Sequence, residues 1–204
     1  LAKEIPIYAD GIKKYVIGDP KAVLMVEFID NDLNLINKKI KELESLIKSQ
    51  NKNNNFSYYK ETKDQKEIFE IRKAGLNILM SMKGDKKPVA FIEDCAVTLN
   101  HLAEYTAKLK EIFKKYDTSG MFYAHASVGT LHVRPVLNMK SDKDISNMKK
   151  IAEEAFEMVK QYKGSHSGEH GDGIVRSEFH EKMFGKKIIN AFEEVKDMFD
   201  HKNL

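Results

Sequence analysis

Residues 121–139 read Met-Phe-Tyr-Ala-His-Ala-Ser-Val-Gly-Thr-Leu-His-Val-Arg-Pro-Val-Leu-Asn-Met. Two strand-like segments, at about 121–126 and 131–139, are separated by only a few residues that include Gly129. Parallel neighbours need a long crossover connection, so strands this close along the chain must pair antiparallel. The segment therefore predicts a hairpin in a largely antiparallel sheet.

Helical and extended patterns alternate around this hairpin. Apolar residues recur at helical spacing in five segments, namely 33–47, 64–82, 102–112, 145–162 and 184–199. Short apolar or β-prone runs predict three further strands, at 22–29, 56–60 and 89–97, and a polar stretch predicts a loop tip at 51–55. The order predicts an α+β fold of the ferredoxin-like kind, with a largely antiparallel sheet and helices on one face. We expect residues 1–204 to form one domain.

Composition excludes several classes of protein. The chain has 204 residues, one Cys and a formal net charge of +3, and only three of its 34 basic residues are Arg. A single Cys cannot form a disulfide framework, and no apolar run approaches the ~20 residues of a membrane helix. The Lys residues alternate with acidic ones, which is typical of a solvated surface and does not predict a nucleic-acid partner.

The chain begins with Leu1 and has no signal-peptide pattern. We therefore expect a piece of a longer, cytoplasmic protein, with peripheral association at a membrane left open.

A first histidine pair lies on the hairpin. His125 and His132 are seven residues apart, and on one straight strand their side chains would point to opposite faces. A turn at 127–129 would fold the segment back and let both imidazoles converge, whereas Gly129 between β-branched residues argues against a helix. Alternation places His132 and Arg134 on one face, about 7 Å apart at Cα. A cation beside a His pair suits an anionic ligand.

A second cluster lies in the glycine-rich loop 164–173, which contains Glu169 and His170. Two His and one carboxylate are the usual ligands of a catalytic zinc or a similar divalent ion, and an adjacent His could transfer a proton. Hydrogen-bonded structural histidines and a simple turn before a helix explain the same residues. The residue pattern alone therefore leaves a metal site and a structural role open.

The other notable residues receive no catalytic role. His101, His180 and His201 are expected on helix surfaces, and nothing specific recruits His166. Cys95, in an apolar segment, is expected to be a buried thiol. For Arg176 a structural contact is favoured over a ligand contact, and Ser177 is expected to cap the following helix. These expectations concern the residues 95, 101, 166, 176, 177, 180 and 201.

Four motifs give the chain a family resemblance. They are Phe91-Ile-Glu-Asp-Cys-Ala-Val97, Tyr123-Ala-His-Ala-Ser-Val-Gly-Thr-Leu-His-Val-Arg-Pro135, Ser167-Gly-Glu-His-Gly-Asp-Gly173 and Met183-Phe-Gly185. The sequence resembles the C-terminal domain of FAD-linked oxidases, which include D-lactate dehydrogenases, glycolate oxidase subunits and D-2-hydroxyglutarate dehydrogenases. The resemblance covers nearly the whole chain and is strongest to large bacterial members that carry a downstream iron–sulfur domain.

The resemblance implies a division of labour within a longer flavoprotein. FAD would be bound mainly by a domain outside this chain, and this chain would supply the substrate pocket. By the family pattern, His125, His132 and Glu169 would hold a divalent metal, most simply zinc. His170 would take the substrate hydroxyl proton, and Arg72 falls where the family places an Arg for the substrate carboxylate.

Three positions depart from the family pattern. Between the two His this chain has Ser-Val-Gly-Thr130 in place of Gly-Asp-Gly-Asn. Arg134 stands where some relatives carry an Asn that contacts substrate, and Ile92 stands where some carry a substrate-binding Lys. We therefore include Arg134 and Thr130, with Arg72, among the expected substrate-binding residues.

These observations favour the substrate- and metal-binding domain of an FAD-dependent 2-hydroxyacid dehydrogenase. The alternative is a non-catalytic metal-binding or interaction module. A zinc hydrolase is disfavoured because no His-Glu-x-x-His motif occurs. No Gly-x-Gly-x-x-Gly loop occurs either, so we expect this chain alone to be inactive as a dehydrogenase.

Overall fold

The computed structural model describes residues 5–50 and 55–204, which divide into two compact units, Leu1–Ser81 and Met82–Leu204. Among its described residues the first unit is helical, with α1 (Pro6–Tyr15), α2 (Leu33–Gln50), α3 (Thr62–Lys73) and α4 (Gly75–Met80). The predicted helices at 33–47 and 64–82 are confirmed, the second of them broken at Ala74, whereas α1 was not predicted. Residues 51–54 of the predicted loop tip lie outside the described residues.

Helices α1 and α3 pack together in the first unit. Lys14 Nζ lies 2.8 Å from Asp64 Oδ1, and the Tyr15 hydroxyl donates to the same oxygen at 2.9 Å. A Cβ on Gly11 would lie 2.6 Å from Ile71 Cδ1, so the end of that flexible side chain would have to shift to admit it. The polar contacts of Lys14 and Tyr15 and the close approach of Gly11 to Ile71 therefore join this helix pair.

The strands predicted at 22–29 and 56–60 are wrong. Both segments are irregular, and the apolar side chains of the first are largely exposed, including Val23, Leu24 and Ile29. A strand needs a neighbouring strand to pair its backbone, and the described part of the first unit contains none. An apolar run marks a preference for burial but does not supply that neighbour.

The second unit contains the sheet. Its elements are β1 (Lys87–Pro88), β2 (Cys95–Ala96), α5 (Leu99–Lys115), β3 (Gly120–His125), β4 (Thr130–Leu137), α6 (Asp142–Gln161), α7 (Gly173–Ser177), α8 (His180–Phe184) and α9 (Lys186–Phe199). The predicted hairpin is β3–β4, and the helices predicted at 102–112, 145–162 and 184–199 are confirmed as α5, α6 and α8–α9.

Strand β4 is the centre of this sheet. It pairs antiparallel with β3 along one edge and with β1 and β2 along the other. A single antiparallel bridge between Ala96 and Ser165 adds a fourth position beyond β2. If β1 and β2 are counted as one interrupted strand and the bridge at Ser165 as the last strand position, the chain order is βαββαβ. This order confirms the predicted ferredoxin-like α+β arrangement with an antiparallel sheet.

Helices α5 and α6 cover one face of the sheet. Leu131 and Val133 of β4 point into this layer and pack in one apolar core with residues from both helices, Tyr105, Leu109, Phe113, Ile151, Ala155 and Val159. Because side chains alternate along a strand, Thr130, His132 and Arg134 point to the opposite face. The core thus leaves one face of the hairpin for polar side chains.

The predicted strand 89–97 is interrupted. Only Cys95–Ala96 of it pairs with β4, as β2, while β1 lies just before it at Lys87–Pro88. Residues 90–94 leave the ladder, and Asp94 adopts a left-handed conformation with φ of 56°. Asp tolerates this region better than most residues because its short polar side chain bonds locally. The interruption directs Glu93 and Asp94 toward the polar face.

The connection between α7 and α8 differs from the expectation. Ser177 is the last residue of α7 and donates its hydroxyl to the Ile174 carbonyl at 2.9 Å, so the predicted N-terminal cap is wrong. Phe179 precedes α8 in a turn at residues 178–179 and makes no side-chain cap hydrogen bond. No helix among the described residues is both long and apolar enough to cross a bilayer.

Candidate functional site

The hairpin turn brings the two predicted histidines together. Residues 126–128 form a single 3-10 turn, and Gly129 follows with φ of 74°. A Cβ at Gly129 would lie 1.9 Å from the Val97 carbonyl oxygen, so no side chain fits there. The ring centroids of His125 and His132 lie 5.2 Å apart, the convergence that the turn predicted.

Asp94 anchors the glycine-rich loop beside this pair. Its Oδ2 accepts hydrogen bonds from the backbone N–H groups of Glu169 and His170, both at 2.8 Å. Its Oδ1 lies 2.6 Å from Arg176 Nη1 in a buried ion pair. Because both consecutive N–H groups point at one carboxylate, the directions in which the Glu169 and His170 side chains leave the loop are fixed.

The charge on Asp94 is held by these contacts. Burial raises the pKa of its carboxyl, but the two backbone hydrogen bonds and Arg176 outweigh burial, so the pKa lies below its ordinary value. Arg176 also donates to the carbonyl oxygens of His166 and Glu93, at 2.9 and 2.6 Å. The favoured structural role of Arg176 is therefore confirmed, since it connects α7 to residues 93–94 and to His166.

Glu169 lies at the centre of the predicted ligand set. Its Oε1 is 2.9 Å from His132 Nε2 and 3.6 Å from His125 Nε2. One ligand atom from each of these residues lies within 4.8 Å of the others. We call His125, His132 and Glu169 the hairpin cluster.

The surroundings of His132 show whether the hairpin cluster suits a cation. Burial lowers the pKa of its imidazole below the ordinary value, only partly offset by the charges of Glu169 and Glu93, so the ring is neutral at pH 7. Its Nε2 is buried and has no hydrogen-bond partner of good geometry, although Glu169 lies close. Neutral imidazole nitrogen and carboxylate oxygen are the donors that divalent zinc prefers. The residues present therefore fit a divalent metal.

His170 lies directly beside the cluster and remains accessible. Its ring stacks on His132 with centroids 5.2 Å apart and an interplanar angle of 29°. Its Nε2 is 3.6 Å from Glu169 Oε1, and its Nδ1 is 3.7 Å from Asp94 Oδ1. With 46% of its side chain exposed, His170 can meet a small molecule that enters the site.

Arg134 shares the polar face as predicted, but it already has an anionic partner. Its Nε donates to Glu93 Oε1 at 3.0 Å, and its Nη2 bonds the same oxygen. The same Glu93 oxygen lies 3.7 Å from His132 Nδ1, so Glu93 connects Arg134 to the hairpin cluster. Sequence reasoning did not single out Glu93 as part of the site.

The other predicted substrate residues occupy different places. Thr130 begins β4 and is buried, with its Oγ1 3.2 Å from the position of a Cβ on Gly168. Ile92 is fully buried in the core. Arg72 lies on α3 in the first unit, whereas the hairpin cluster lies in the second. The structure therefore gathers His125, His132, Glu169, His170, Arg134 and Thr130 in one unit.

A second group of two histidines and a carboxylate lies in the second unit and was not predicted from the sequence. His166 Nε2 lies 3.0 Å from Asp172 Oδ1, and His180 Nε2 lies 3.0 Å from Asp172 Oδ2. We call these residues the loop–helix cluster. The prediction that His180 is a plain helix-surface residue is wrong, because the turn after α7 directs its ring toward Asp172. The only signal in the sequence was His166 within the glycine-rich loop.

Cys95 is a buried thiol, as predicted. Its Sγ lies 3.4 Å from the Ile92 carbonyl oxygen and 3.6 Å from the His166 carbonyl oxygen. Burial raises the pKa of the thiol to about 12. At neutral pH the group is therefore protonated and a poor ligand or nucleophile.

The fold and the site define a ferredoxin-like α+β unit that presents histidine and carboxylate donors on the open face of its sheet. Residues 8–204 match the family described as FAD linked oxidases, C-terminal domain, and the chain belongs to that family.

Curated relatives agree with this family. D-2-hydroxyglutarate dehydrogenase of Escherichia coli (strain K12) is 31% identical over 184 residues, covering 88% of this chain and 18% of the relative. The enzyme of the same name from Pantoea ananatis (strain AJ13355) is 34% identical over 136 residues, which is 67% of this chain and 13% of the relative. Glycolate oxidase subunit GlcD of Bacillus subtilis (strain 168) is 26% identical over 187 residues, 90% of this chain and 38% of the relative. The chain thus spans less than a fifth of the length of the D-2-hydroxyglutarate dehydrogenases.

Proposed function

We propose that this chain is the substrate- and metal-binding domain of an FAD-dependent dehydrogenase that oxidises a D-2-hydroxyacid. One observation supports the proposal: the hairpin turn and the Asp94-anchored loop bring His125, His132 and Glu169 together beside the accessible His170. The names of the relatives, which act on 2-hydroxyglutarate, glycolate and D-lactate, support the substrate class.

His125, His132 and Glu169 would hold the metal, which we propose to be zinc. When bound, a divalent ion at this position lowers the pKa of a substrate hydroxyl and orients it. The protein fixes the three donors in different ways. His132 is held by burial on β4, His125 by the hairpin turn, and Glu169 by the hydrogen bond of its backbone N–H to Asp94.

His170 is the proposed general base. It would accept the hydroxyl proton of the substrate while the hydride on the α-carbon leaves, so that a 2-hydroxyacid becomes a 2-oxoacid. FAD, which we propose is held mainly by a domain outside this chain, supplies the hydride acceptor. Asp94 Oδ1, 3.7 Å from His170 Nδ1, is placed to stabilise the imidazolium that results.

The substrate carboxylate needs a cation. We propose Arg134 for this role, with Thr130 lining the same region. Arg72 is proposed as a further carboxylate-binding residue on its sequence motif alone. A guanidinium can grip a carboxylate at two points, which a Lys cannot do. Because Glu93 already occupies Nε and Nη2 of Arg134, we expect the substrate carboxylate to share or displace that partner.

The relatives are several times longer than this chain, which leaves room for further domains. We propose that a flavin domain in the same polypeptide is the direct partner, and that an iron–sulfur cluster in a downstream domain receives the electrons. We further propose a cytoplasmic protein, peripheral to the membrane at most, with no nucleic-acid partner.

Anaerobic reduction of the flavin tests the proposal. In the complete flavoprotein, D-2-hydroxyglutarate should bleach the flavin rapidly, and His170→Gln should slow this step by about 10²–10⁴-fold with little change in substrate affinity. His101→Gln, on α5, is the matched control and should react at the normal rate. An unchanged rate in His170→Gln would remove His170 from the mechanism.

Metal content separates this function from the alternative of a non-catalytic metal-binding module. Loss of the hairpin zinc in His132→Ala, accompanied by loss of flavin reduction, supports the proposal. Loss of the hairpin zinc in a complete protein that never oxidises a 2-hydroxyacid supports the module instead. We expect the 204-residue chain alone to show no turnover, and turnover without added flavoprotein would contradict the proposed division of labour.

A further inference from the structure

We propose that His166, Asp172 and His180 form a second divalent-metal site, separate from the hairpin cluster and independent of the proposed function. The three residues are the loop–helix cluster, and one ligand atom of each lies within 4.8 Å of the others. None of them belongs to the hairpin cluster, and none receives a role in the proposed oxidation.

The contacts within this cluster are close but are not hydrogen bonds. Asp172 Oδ1 lies 3.0 Å from His166 Nε2, and Oδ2 lies 3.0 Å from His180 Nε2. Both ring nitrogens and Asp172 Oδ1 are nevertheless buried without a hydrogen-bond partner of acceptable geometry among the described residues. Donor atoms that lie near one another but do not point at one another are arranged as ligands of a shared cation.

Because these atoms are buried, leaving them without a ligand costs free energy. The His166 side chain is only 1% exposed, so its Nε2 has no access to bulk water. A buried polar atom left unpaired costs about 1–3 kcal/mol. His166 Nδ1, which is also buried, remains the nitrogen that carries the ring proton when Nε2 acts as a ligand. A cation would therefore satisfy three buried atoms together.

Aromatic rings enclose the cluster. Phe156 and Phe184 lie against the His166 ring with centroids at 5.3 and 5.5 Å, and Phe192 lies 6.4 Å from the His180 ring. The side chains of Asp172 and His180 keep about a quarter of their surface exposed, 24% and 23%, which gives an entry path from one side. Two His and one Asp with one open side match a zinc site of three protein ligands and one water.

The location gives the proposed ion a positioning role. His166 precedes the Glu169–His170 pair by three residues and Asp172 follows it by two, so the ion would clamp both ends of that short segment. His180 would tie the clamp to α8. The loop is otherwise anchored through Asp94, and the ion would add a second anchor.

Zinc stoichiometry in the tag-free 204-residue chain tests this inference. After loading with zinc and removal of free metal, the double variant His132→Ala/Glu169→Gln, which lacks the hairpin donors, should retain about one zinc per chain by elemental analysis. Adding His180→Gln should abolish that zinc. Cobalt(II) should give the same pattern, with the visible absorption bands of a four-coordinate ion lost on His180→Gln.

Controls keep the result independent of folding and of the proposed function. His201→Gln, an exposed histidine beyond α9, should retain the zinc, and far-UV circular dichroism should be unchanged in every variant. Asp172→Asn is a second substitution that should also release it. The inference is overturned if the double variant binds no zinc, or if His180→Gln and Asp172→Asn keep it. If only the proposed function fails, zinc persists in His132→Ala and is lost in His180→Gln.

Discussion

The hairpin cluster and the loop–helix cluster use the same donor types but differ in how open they are. In the hairpin cluster only His132 is buried, while His125 and Glu169 expose 37% and 43% of their side chains. In the loop–helix cluster His166 is enclosed, and aromatic rings pack on both histidines. An open donor set can share its ligand with a substrate. The loop–helix cluster, in which only Asp172 and His180 keep about a quarter of their side chains exposed, is better suited to holding a part of the chain in place.

The two clusters also depend on one common support. Asp94 holds the backbone of Glu169 and His170, and its ion-pair partner Arg176 donates to the carbonyl of His166. The difference between the clusters therefore arises from the surroundings of the donors and not from separate scaffolds. Breaking the common support and breaking each cluster alone should give distinct results.

The largest effect is expected for Asp94→Asn. Asn tolerates the left-handed backbone at this position, so the substitution removes mainly the charge and leaves buried Arg176 without its partner. We expect a loss of about 3–5 kcal/mol in the free energy of unfolding, measured by urea denaturation, together with loss of zinc from both clusters.

Asp85→Asn is the matched control for this prediction. Asp85 pairs with Lys140 at 2.7 Å, but both side chains are more than half exposed. Its removal should change the free energy of unfolding by less than about 1 kcal/mol. Equal effects of the two substitutions would show that Asp94 is not the common support.

Gly129→Ala should affect the hairpin cluster alone. The added Cβ would overlap the Val97 carbonyl and would also force Ala to adopt φ of 74°. We expect a loss of about 2–4 kcal/mol in the free energy of unfolding and loss of the hairpin zinc only. Gly171→Ala has a similar φ of 78° with open space around the Cβ, and it should cost about 1–2 kcal/mol. A Gly129→Ala protein with both zinc ions would contradict the proposed role of the turn.

A pH series compares the buried histidines of the two clusters. Burial lowers the pKa of His132 and of His166 below the ordinary 6.5, so each stays neutral in the folded chain where the unfolded chain takes up a proton. The unfolded state then binds more protons, and the free energy of unfolding should fall as pH drops from about 6.5 toward those lowered values. The slope should not exceed about 1.4 kcal/mol per pH unit for each histidine.

Urea denaturation at pH 7.5 and 5.5 with a chelator present measures this slope. His132→Gln and His166→Gln should each flatten it, and His201→Gln should leave it unchanged. A slope that is identical in the unsubstituted chain and in all three variants would show that neither buried histidine controls the pH dependence.

The smallest effect concerns Cys95, which reports on the loop–helix cluster. With a pKa of about 12 for the thiol, only about one in ten thousand Cys95 groups is ionised at pH 8, so alkylation requires local opening. Because Cys95 Sγ lies against the His166 carbonyl, zinc in the loop–helix cluster should slow its alkylation by iodoacetamide several-fold. Zinc should have no such effect on His180→Gln, and slowing that persists there would place the protecting metal elsewhere.

Much of the second unit could be predicted from local patterns. The hairpin, helices α5 and α6, and the convergence of His125 with His132 followed from strand alternation, helical period and one glycine. These features depend on residues close together in the chain. The prediction of strands at 22–29 and 56–60 was wrong, because a strand needs a pairing partner that the local sequence pattern cannot identify.

Parts of the site could not be predicted for the same reason. Glu93 and Asp94 leave the predicted strand only because Asp94 takes a left-handed conformation that the loop at 168–170 stabilises from far along the chain. His180 joins His166 only through the turn between α7 and α8. Contacts between such distant residues depend on packing, and their sequence spacing carries no period.

The sequence by itself determined the α+β class, the family and which residues meet in the hairpin cluster, because alternation and short motifs are local properties of the chain. Only the tertiary structure decided that one buried carboxylate, Asp94, orients Glu169 and His170, and that a second His–carboxylate group forms nearby in the same unit. The physical reason is that burial and charge pairing are set by residues that meet only after folding, when Arg176 and Asp94 are both removed from water.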